Sequence, residues 1–186
     1  MTDLATTDSD NSSAYRVAII SDTHGSINSQ VLQAISGCEQ VVHAGDICGA
    51  HVLSQLREIC PQVTAVAGNN DAPGLWAEIE TQIVAALPEV TEIQLPGGTL
   101  AIEHGHQHGM HKPDHASLRA AHPEARAIVY GHTHKMLVDD EQSPWVVNPG
   151  AAGATRTNGG PSCLILSIEN DSWDFEMLRF EDEAAA

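Results

Sequence analysis

Five short polar segments of this chain each follow an apolar run, and their residue types suit metal binding. Histidine is unusually frequent, with 11 residues against 8 for lysine and arginine together. Histidine and aspartate bind transition metals, and open α/β sheets place their sites where strands end. One such segment is weak evidence, but five in succession indicate a shared site. The segments are Asp22-Thr23-His24, Gly45-Asp46, Gly68-Asn69-Asn70-Asp71, His104-Gly105-His106 and Gly131-His132-Thr133-His134.

This ligand set is suited to the hydrolysis of a phosphate ester, whose anionic oxygens repel a nucleophile. Two cations about 3.5–4 Å apart neutralise those oxygens and lower the pKa of a water molecule. A mixture of imidazole, carboxylate and amide ligands favours borderline transition metals over Mg²⁺ and Ca²⁺. We therefore predict two divalent cations, with Mn²⁺ as first choice and Ni²⁺, Co²⁺, Fe²⁺ or Zn²⁺ as alternatives. The sequence has neither a Walker P-loop nor a G-x-S-x-G motif.

Together the motifs resemble those of the calcineurin-like metallophosphoesterases, and they are most similar to the small phosphodiesterases of the YfcE type. The order of the motifs, the chain length and the segment Asn148-Pro149-Gly150 carry this resemblance. It extends from Arg16 to the last predicted strand. The resemblance implies an α/β protein with a four-layer α/β/β/α sandwich, in which the metals lie between the strand ends of two sheets.

The resemblance also implies a role for each ligand and a nucleophile. A bridging water or hydroxide would attack phosphorus in line with the leaving alkoxide. Asp22, His24 and His134 would hold the first metal, Asn69, His104 and His132 the second, and Asp46 would bridge the two.

One motif departs from many relatives, which carry histidine at the position of Asn70. Asparagine donates a hydrogen bond but is not a general acid at neutral pH. We therefore treat Asn70 as a candidate catalytic and substrate-binding residue, and we expect either a preference for good leaving groups or an acid from elsewhere. YfcE-type relatives commonly lack this histidine as well. We expect Asp71 to orient backbone groups or a ligand rather than to bind metal.

The remaining histidines of interest are not assigned to the metals. His106 is a candidate catalytic residue that lines the site. We predict that His108, His111 and His115 are surface loop residues, any of which could supply the missing proton donor. His43 is predicted to be structural.

Arg156 is a candidate for binding the substrate phosphate. It lies in the glycine-rich loop Gly150–Gly160, and an arginine fork can contact a phosphate through two hydrogen bonds. A solvated loop arginine is the alternative.

Charge and composition limit the function classes. The chain has 25 acidic and 8 basic residues, a net charge of -17, which disfavours a broad nucleic-acid surface but permits a small phosphorylated substrate at a metal site. No apolar run approaches the ~18 residues of a membrane span, and no signal peptide is recognisable. We expect a cytoplasmic protein. The four cysteines, Cys38, Cys48, Cys60 and Cys163, are predicted to be reduced and buried.

Apolar β-branched runs alternate with helical patterns in the first half of the chain, which predicts βαβ units and a parallel sheet. The second half is β-rich, with a hairpin turn at Pro96-Gly97-Gly98. Predicted strands are Arg16–Ser21, Gln40–His43, Val63–Ala67, Glu89–Leu95, Thr99–His104, Ala127–Tyr130, Met136–Val138, Trp145–Val147, Cys163–Ile168 and Phe175–Phe180. Predicted helices are Asn28–Ser36, Ala50–Ile59 and Asp114–Ala121, with Leu75–Leu87 helical or mixed.

For the domain organisation we predict a disordered tail at residues 1–14, one metallophosphoesterase domain at 15–180 and a frayed end at 181–186. The predicted function is dinuclear metal-dependent hydrolysis of phosphodiesters, with a small, nucleotide-like molecule as candidate substrate and a homodimer as candidate assembly. A phosphomonoesterase using the same site is the first alternative. A non-catalytic scaffold similar to the retromer subunit of this fold is the second, and a metal-binding regulator without turnover is the third.

Overall fold

The computed structural model describes residues 14–154 and 156–181, and ten strands in two sheets form its centre. The strands are β1 (Tyr15–Ile20), β2 (Gln40–His43), β3 (Val63–Ala65), β4 (Val90–Leu95), β5 (Gly98–Glu103), β6 (Ala127–Val129), β7 (Leu137–Asp139), β8 (Trp145–Asn148), β9 (Ser162–Glu169) and β10 (Ser172–Arg179). The helices are α1 (Ser29–Ile35), α2 (Ala50–Ile59), α3 (Thr81–Ala85) and α4 (His115–Ala121), with 3₁₀ turns at Glu78–Glu80 and His106–His108.

Each sheet has five strands and a parallel centre. The first sheet has the order β10-β9-β1-β2-β3, and β1, β2 and β3 run parallel to one another. The second has the order β4-β5-β6-β8-β7, and β5, β6 and β8 are parallel. The carboxyl ends of parallel strands meet at one edge of a sheet, so the loops that follow these strands are brought together.

The alternation of side chains along the central strands builds four layers. In β1, Val17 and Ile19 join the apolar cluster between the two sheets, whereas Ala18 and Ile20 pack in the cluster that contains α1 and α2. On the far side of the second sheet, Leu118 of α4 packs against the outward-facing residues of β5 and β6. The predicted α/β/β/α sandwich is confirmed. Each large side chain buried in this way stabilises the fold by about 1.5–3 kcal/mol.

Most predicted elements are confirmed to within a few residues, and two differ from the structure. The segment 75–87 forms only a 3₁₀ turn and the five-residue α3, because Ile79 and Ile83 are exposed and do not anchor a longer helix. The last strand begins at Ser172 rather than Phe175, because Asn170 and Asp171 have φ of 48° and 62° and close a two-residue hairpin with β9.

The predicted tails at 1–14 and 181–186 lie, apart from their innermost residues, outside the described part of the chain. Within residues 14–154 and 156–181, no helix has both the length and the apolar character needed to span a membrane.

Candidate metal centre

The candidate ligands lie in the loops that follow β1, β2, β3, β5 and β6, and backbone hydrogen bonds connect neighbouring loops. The amide of Asp22 donates to Gly45 O at 3.0 Å, and the amide of His24 donates to Asp46 O at 3.0 Å. The amide of Gly131 donates to His104 O at 3.2 Å. These bonds join loops within each sheet, and the amide of His132, which donates to Asp22 Oδ2 at 3.0 Å, links the loops of the two sheets.

A first group of potential ligands consists of Asp22, His24 and His134. Their ligand atoms lie within 4.8 Å of one another. His134 Nε2 is 3.2 Å from Asp22 Oδ1 and 3.2 Å from His24 Nε2. These are the three residues that the family resemblance implies for the first metal.

A second group consists of Asp22, Asp46 and His104, whose ligand atoms also lie within 4.8 Å of one another. His104 Nε2 is 3.4 Å from Asp46 Oδ1, and His24 Nε2 is 3.7 Å from Asp46 Oδ2. The carboxylate of Asp46 thus lies between one histidine of each group. Asp22 belongs to both groups and is, like Asp46, placed so that it could bridge two cations.

Two buried atoms of these groups have no hydrogen-bond partner within the described residues, namely Asp22 Oδ1 and His104 Nε2. A buried polar atom without a partner is costly, so native structures rarely leave one unsatisfied. Both atoms are lone-pair donors and both point into the clusters. The residues present therefore fit a divalent cation, which would satisfy both atoms.

Backbone carbonyls fix the ring orientation of three histidines. His104 Nδ1 donates to Ala44 O at 2.7 Å, and His134 Nδ1 donates to Arg156 O at 3.1 Å. His132 Nε2 donates to Met110 O at 2.7 Å. Because a carbonyl only accepts, each of these nitrogens carries the proton, and the other nitrogen of the neutral ring keeps its lone pair. Such contacts typically orient histidine ligands of metals.

Five candidate ligands adopt left-handed backbone conformations, with φ between 45° and 67°. Non-glycine residues rarely occupy this region, and strained residues cluster at functional sites. Asp and His are among the side chains that tolerate it best. The backbone thus accepts a local cost to aim these side chains inward. The five are Asp22, His24, Asp46, His132 and His134.

Two glycines permit the close approach of the loops. A Cβ on Gly68 would collide with the backbone and carboxylate of Asp46, and a Cβ on Gly131 would collide with the hydroxyl of Ser21 and lie 2.8 Å from Asp22 Oδ2. Neither glycine needs a positive φ. Their requirement is space, because any side chain would push a candidate ligand away.

The carboxylate of Asp46 is held by Asn70, whose amide nitrogen donates to Oδ1 at 2.9 Å and whose Nδ2 donates to Oδ2 at 2.7 Å. Burial would raise the pKa of Asp46, but the nearby His104 and these hydrogen bonds keep that pKa well below its usual range. Burial also disfavours the charged form of His104, yet the pKa of His104 is raised because Asp46 and Asp22 outweigh it. Asn69, the other candidate asparagine, is exposed.

Asp71 organises two loops from within the structure. Its buried carboxylate accepts hydrogen bonds from the amides of Ile47, Cys48 and Gly68 and from Trp76 Nε1, at 2.9–3.0 Å. It thereby fixes the segment that follows Asp46 and the loop of Gly68 that packs against it. The expectation that Asp71 orients backbone groups is confirmed.

His43 is fully buried beneath the site and is structural, as predicted. Its Nδ1 accepts from the amide of Gly45 at 3.2 Å, so Nε2 carries the proton and donates to Thr23 Oγ1 at 3.0 Å. The hydroxyl of Thr23 in turn donates to Ile47 O at 3.2 Å. Burial lowers the pKa of His43 to about 4, which keeps the ring neutral at pH 7.

His106 and Arg156 lie beside the candidate ligands. The ring centre of His106 is 5.5 Å from that of His104 and 6.1 Å from that of His132. Burial lowers the pKa of His106, and both neighbouring rings lower it further. Arg156 Nη2 donates to His24 Nε2 at 2.8 Å from an exposed position. The structure thus brings both candidates to the edge of the first and second groups.

Cys48 contacts the site, although no motif predicted it. Its Sγ lies 3.7 Å from His24 Nδ1, and the residue is only half-buried, contrary to the prediction that all four cysteines are buried. Burial, with the charges of Asp71 and Asp46, raises the pKa of Cys48 to about 12. Its neighbour Gly49 and the preceding Gly45-Asp46 motif were the available signal.

Two histidines predicted to be surface loop residues have structural partners instead. His108 Nε2 lies 3.1 Å from the buried carboxylate of Glu103, which also contacts His122 Nε2 at 3.0 Å. His115 begins α4 and contacts Asp139 Oδ2 at 2.8 Å. The prediction was wrong for His108 because it lies in the 3₁₀ turn that closely follows β5, where its ring meets Glu103, and for His115 because its partner Asp139 is distant in sequence. His111 is exposed, as expected.

A family model of the calcineurin-like phosphoesterase superfamily domain matches residues 15–171. The chain therefore belongs to the calcineurin-like phosphoesterase superfamily, which confirms the family predicted from the motifs.

Individual relatives match over most of their length. A probable metallophosphoesterase of Methanothermobacter thermautotrophicus is 28% identical over 170 residues, covering 88% of this chain and 91% of the relative. The phosphodiesterase YfcE of Escherichia coli K12 is 28% identical over 173 residues, covering 84% and 88%. Wild-type Vps29 of Entamoeba histolytica, solved in complex with Zn²⁺, has a TM-score of 0.67 at 21% identity, covering 88% of this chain and 98% of that one. This last similarity shows the shared fold.

Proposed function

We propose that this protein is a dinuclear metal-dependent phosphoesterase that hydrolyses phosphodiesters of small molecules. Family membership supports phosphoester chemistry, and the name of the relative YfcE supports the diesterase assignment. Mn²⁺ is the proposed metal, with Ni²⁺, Co²⁺, Fe²⁺ and Zn²⁺ as alternatives. The proposed ligands are Asp22, His24 and His134 for the first ion, Asn69, His104 and His132 for the second, and Asp46 between them.

The observation that carries this proposal is the pair of unpartnered buried atoms, Asp22 Oδ1 and His104 Nε2, within two adjoining ligand groups. A catalytically idle core would be expected to satisfy such atoms with protein donors. The carbonyl contacts of His104 and His134 support the same conclusion, because they leave Nε2 of each ring as a lone-pair donor.

When bound, two divalent cations supply Lewis acidity and lower the pKa of water. The residues of the chain position the reacting groups. Asn70 uses one Nδ2 hydrogen to hold Asp46, and its second hydrogen remains for a phosphate oxygen. Arg156 has a guanidinium beside His24, from which it can donate to the same phosphate. His106 lines the site as a further candidate catalytic residue.

A phosphomonoesterase remains the main alternative, because the same ligand groups suit both ester types. A specific observation also favours an interaction surface: Leu75, Ile79 and Ile83, spaced four residues apart, are 64%, 92% and 43% exposed. A scaffold would expose such apolar side chains. The complete set of candidate ligands favours catalysis, and a metal-binding regulator would show metal binding without turnover. A cytoplasmic location and a homodimer remain predictions.

The test combines metal content with turnover. Purified protein would be loaded with Mn²⁺ and offered bis(4-nitrophenyl) phosphate and 4-nitrophenyl phosphate, with bound metal measured by plasma mass spectrometry. We expect two Mn²⁺ per chain and faster hydrolysis of the diester. Asp46→Asn should lose at least one Mn²⁺ and most turnover, whereas Asp140→Asn, an exposed control with the same charge change, should lose neither. Faster monoester hydrolysis would favour the phosphatase, and metal binding without any turnover would exclude the enzyme.

A further inference from the structure

A second concave site adjoins the candidate metal centre. It has a volume of about 470 Å³, within the range of small-molecule pockets. It is lined by the segment Met110–Pro113 and by Tyr130, Thr133 and Lys135. We call this site the lysine pocket. A groove of about 350 Å³ that contains His134 and Arg156 shares His132 and Thr133 with it.

The charge of the lysine pocket is opposite to that of the protein. The chain carries a net charge of -17 and has only two lysines, Lys112 and Lys135, and both line this pocket. No ion pair between either lysine and an acidic side chain is present within residues 14–154 and 156–181. Asp139 is paired with Arg119 and His115 at 2.8 Å each, and Asp114 accepts from the amide of Ala116 at the start of α4. The two ammonium groups are therefore available to an anion.

The interior of the pocket is suited to a ring. Tyr130 is 3% exposed, and its hydroxyl is held by His115 Nε2 at 3.2 Å. Pro113 is buried and Leu137 is half-buried, whereas Met110 is 63% exposed. Apolar and aromatic side chains that line one pocket together with two cationic groups can accommodate a flat or sugar-like body that carries an anion.

The pocket is connected to the metal centre by His132. Its Nε2 donates to Met110 O at 2.7 Å, so a candidate ligand is fixed by a wall of the pocket. A phosphate held at the metal centre would have one ester oxygen facing either the groove at Arg156 or the lysine pocket. Because the pocket and the groove share His132 and Thr133, a substituent of a phosphate held at the metal centre could extend into the lysine pocket.

We propose that the lysine pocket binds one ester substituent of the substrate and that this substituent carries a second anionic group. The substrate class is then a phosphodiester of a nucleoside that bears a further phosphate. This inference rests on the proposed function, because it takes the metal centre as the site of the scissile phosphate. It adds a determinant of specificity that lies outside the ligand groups.

The test uses two substrates with the same leaving group. Both are 4-nitrophenyl esters of thymidine 5′-phosphate, and one carries an additional 3′-phosphate. For the Mn²⁺-loaded protein at low salt we expect kcat/KM about tenfold higher for the 3′-phosphorylated ester, because each exposed lysine contributes a few-fold. The preference should fall as ionic strength rises.

Substitutions then assign the preference to the pocket. Lys112→Gln and Lys135→Gln should each reduce the ratio of the two kcat/KM values, and the double variant should bring it close to one. Arg57→Gln removes one positive charge from the exposed end of α2 and should keep the wild-type ratio. A wild-type ratio near one, or a ratio that survives the double substitution, would overturn the proposal.

Binding separates this inference from the proposed function. Thymidine 3′,5′-bisphosphate and thymidine 5′-phosphate would be titrated calorimetrically into the Mn²⁺-loaded wild type and double variant. Tighter binding of the bisphosphate that disappears in the double variant supports the pocket even without turnover. If each protein bound the bisphosphate and the monophosphate with equal affinity, the proposed role of the pocket would be refuted. Absence of hydrolysis of bis(4-nitrophenyl) phosphate would refute only the proposed enzymatic function.

Discussion

Replacing Asp71 by asparagine would test whether one buried carboxylate holds the candidate metal centre together. In the structure this carboxylate accepts from three backbone amides, those of Ile47, Cys48 and Gly68, and from the indole of Trp76. Asparagine has nearly the same shape, so no cavity forms. It keeps only one acceptor oxygen and presents an NH₂ group where the second oxygen was.

The magnitude follows from the donors that lose a partner. If the remaining oxygen replaces Oδ1, the amide of Gly68 faces the new NH₂ group, and an orphaned buried donor costs about 1–3 kcal/mol. The other three hydrogen bonds lose their charged acceptor, which weakens each by roughly 0.5–1 kcal/mol. We expect the free energy of unfolding to fall by about 3–5 kcal/mol. Domains of this size have about 5–15 kcal/mol, so the variant should still fold.

The assay is urea unfolding followed by tryptophan fluorescence, together with Mn²⁺ titration of the folded variant. Because the loops on both sides of Asp46 depend on Asp71, we expect Mn²⁺ affinity to fall by about 10–100-fold. Asp140→Asn, on the exposed surface, should change stability by less than about 0.5 kcal/mol. A loss below about 1 kcal/mol for Asp71→Asn would refute the role assigned to this carboxylate.

Two further predictions concern packing and pH. Gly68→Ala should lower the free energy of unfolding by about 2–3 kcal/mol, because the added methyl group collides with Asp46. The control Gly37→Ala, whose methyl group meets nothing within 4 Å, should lower it by only about 1 kcal/mol because of the positive φ. Equal losses in the two variants would contradict the steric argument. The pKa of His43 is about 4 in the folded protein against about 6.5 in the unfolded chain. Between these pH values the unfolded chain binds the extra proton, so the free energy of unfolding decreases by about 3 kcal/mol as the pH is lowered from 6.5 to 4. Unfolding curves at several pH values should show this slope reduced in His43→Gln but not in His111→Gln, whose side chain is exposed; identical slopes in the three proteins would show that His43 does not titrate in this way.

Local signals explain why so much of the fold could be predicted from the sequence. The first helix was expected at Asn28–Ser36, and the structure has Asn28 as the N-cap, accepting from the amides of Gln30 and Val31. The turn at Pro96-Gly97 joins β4 and β5 with Leu95 paired to Gly98. Caps, two-residue turns and apolar runs act over a few residues and can be read directly from the chain.

The site could be predicted only in its residue types, because its geometry depends on contacts between distant segments. His24 and His134, whose Nε2 atoms lie 3.2 Å apart, are 110 positions apart in sequence. The carbonyl of Met110 fixes the ring of His132, and no motif identifies Met110 as its partner. The partner of His115, Asp139, lies 24 positions away and was missed for the same reason. The lysine pocket likewise arises only when β6 and the segment before α4 are placed side by side.

The left-handed backbone at five candidate ligand positions limits how the metal preference of this protein could be re-engineered. Glycine, asparagine, aspartate and histidine tolerate such φ values, whereas glutamate, threonine or valine would add about 1–2 kcal/mol of strain at each position. Exchanging His24 or His132 for asparagine or aspartate would therefore shift the ligands towards oxygen at little conformational cost. A longer or branched ligand would require the loop itself to be rebuilt. The backbone conformation thus restricts which ligand types single substitutions could introduce at this candidate centre.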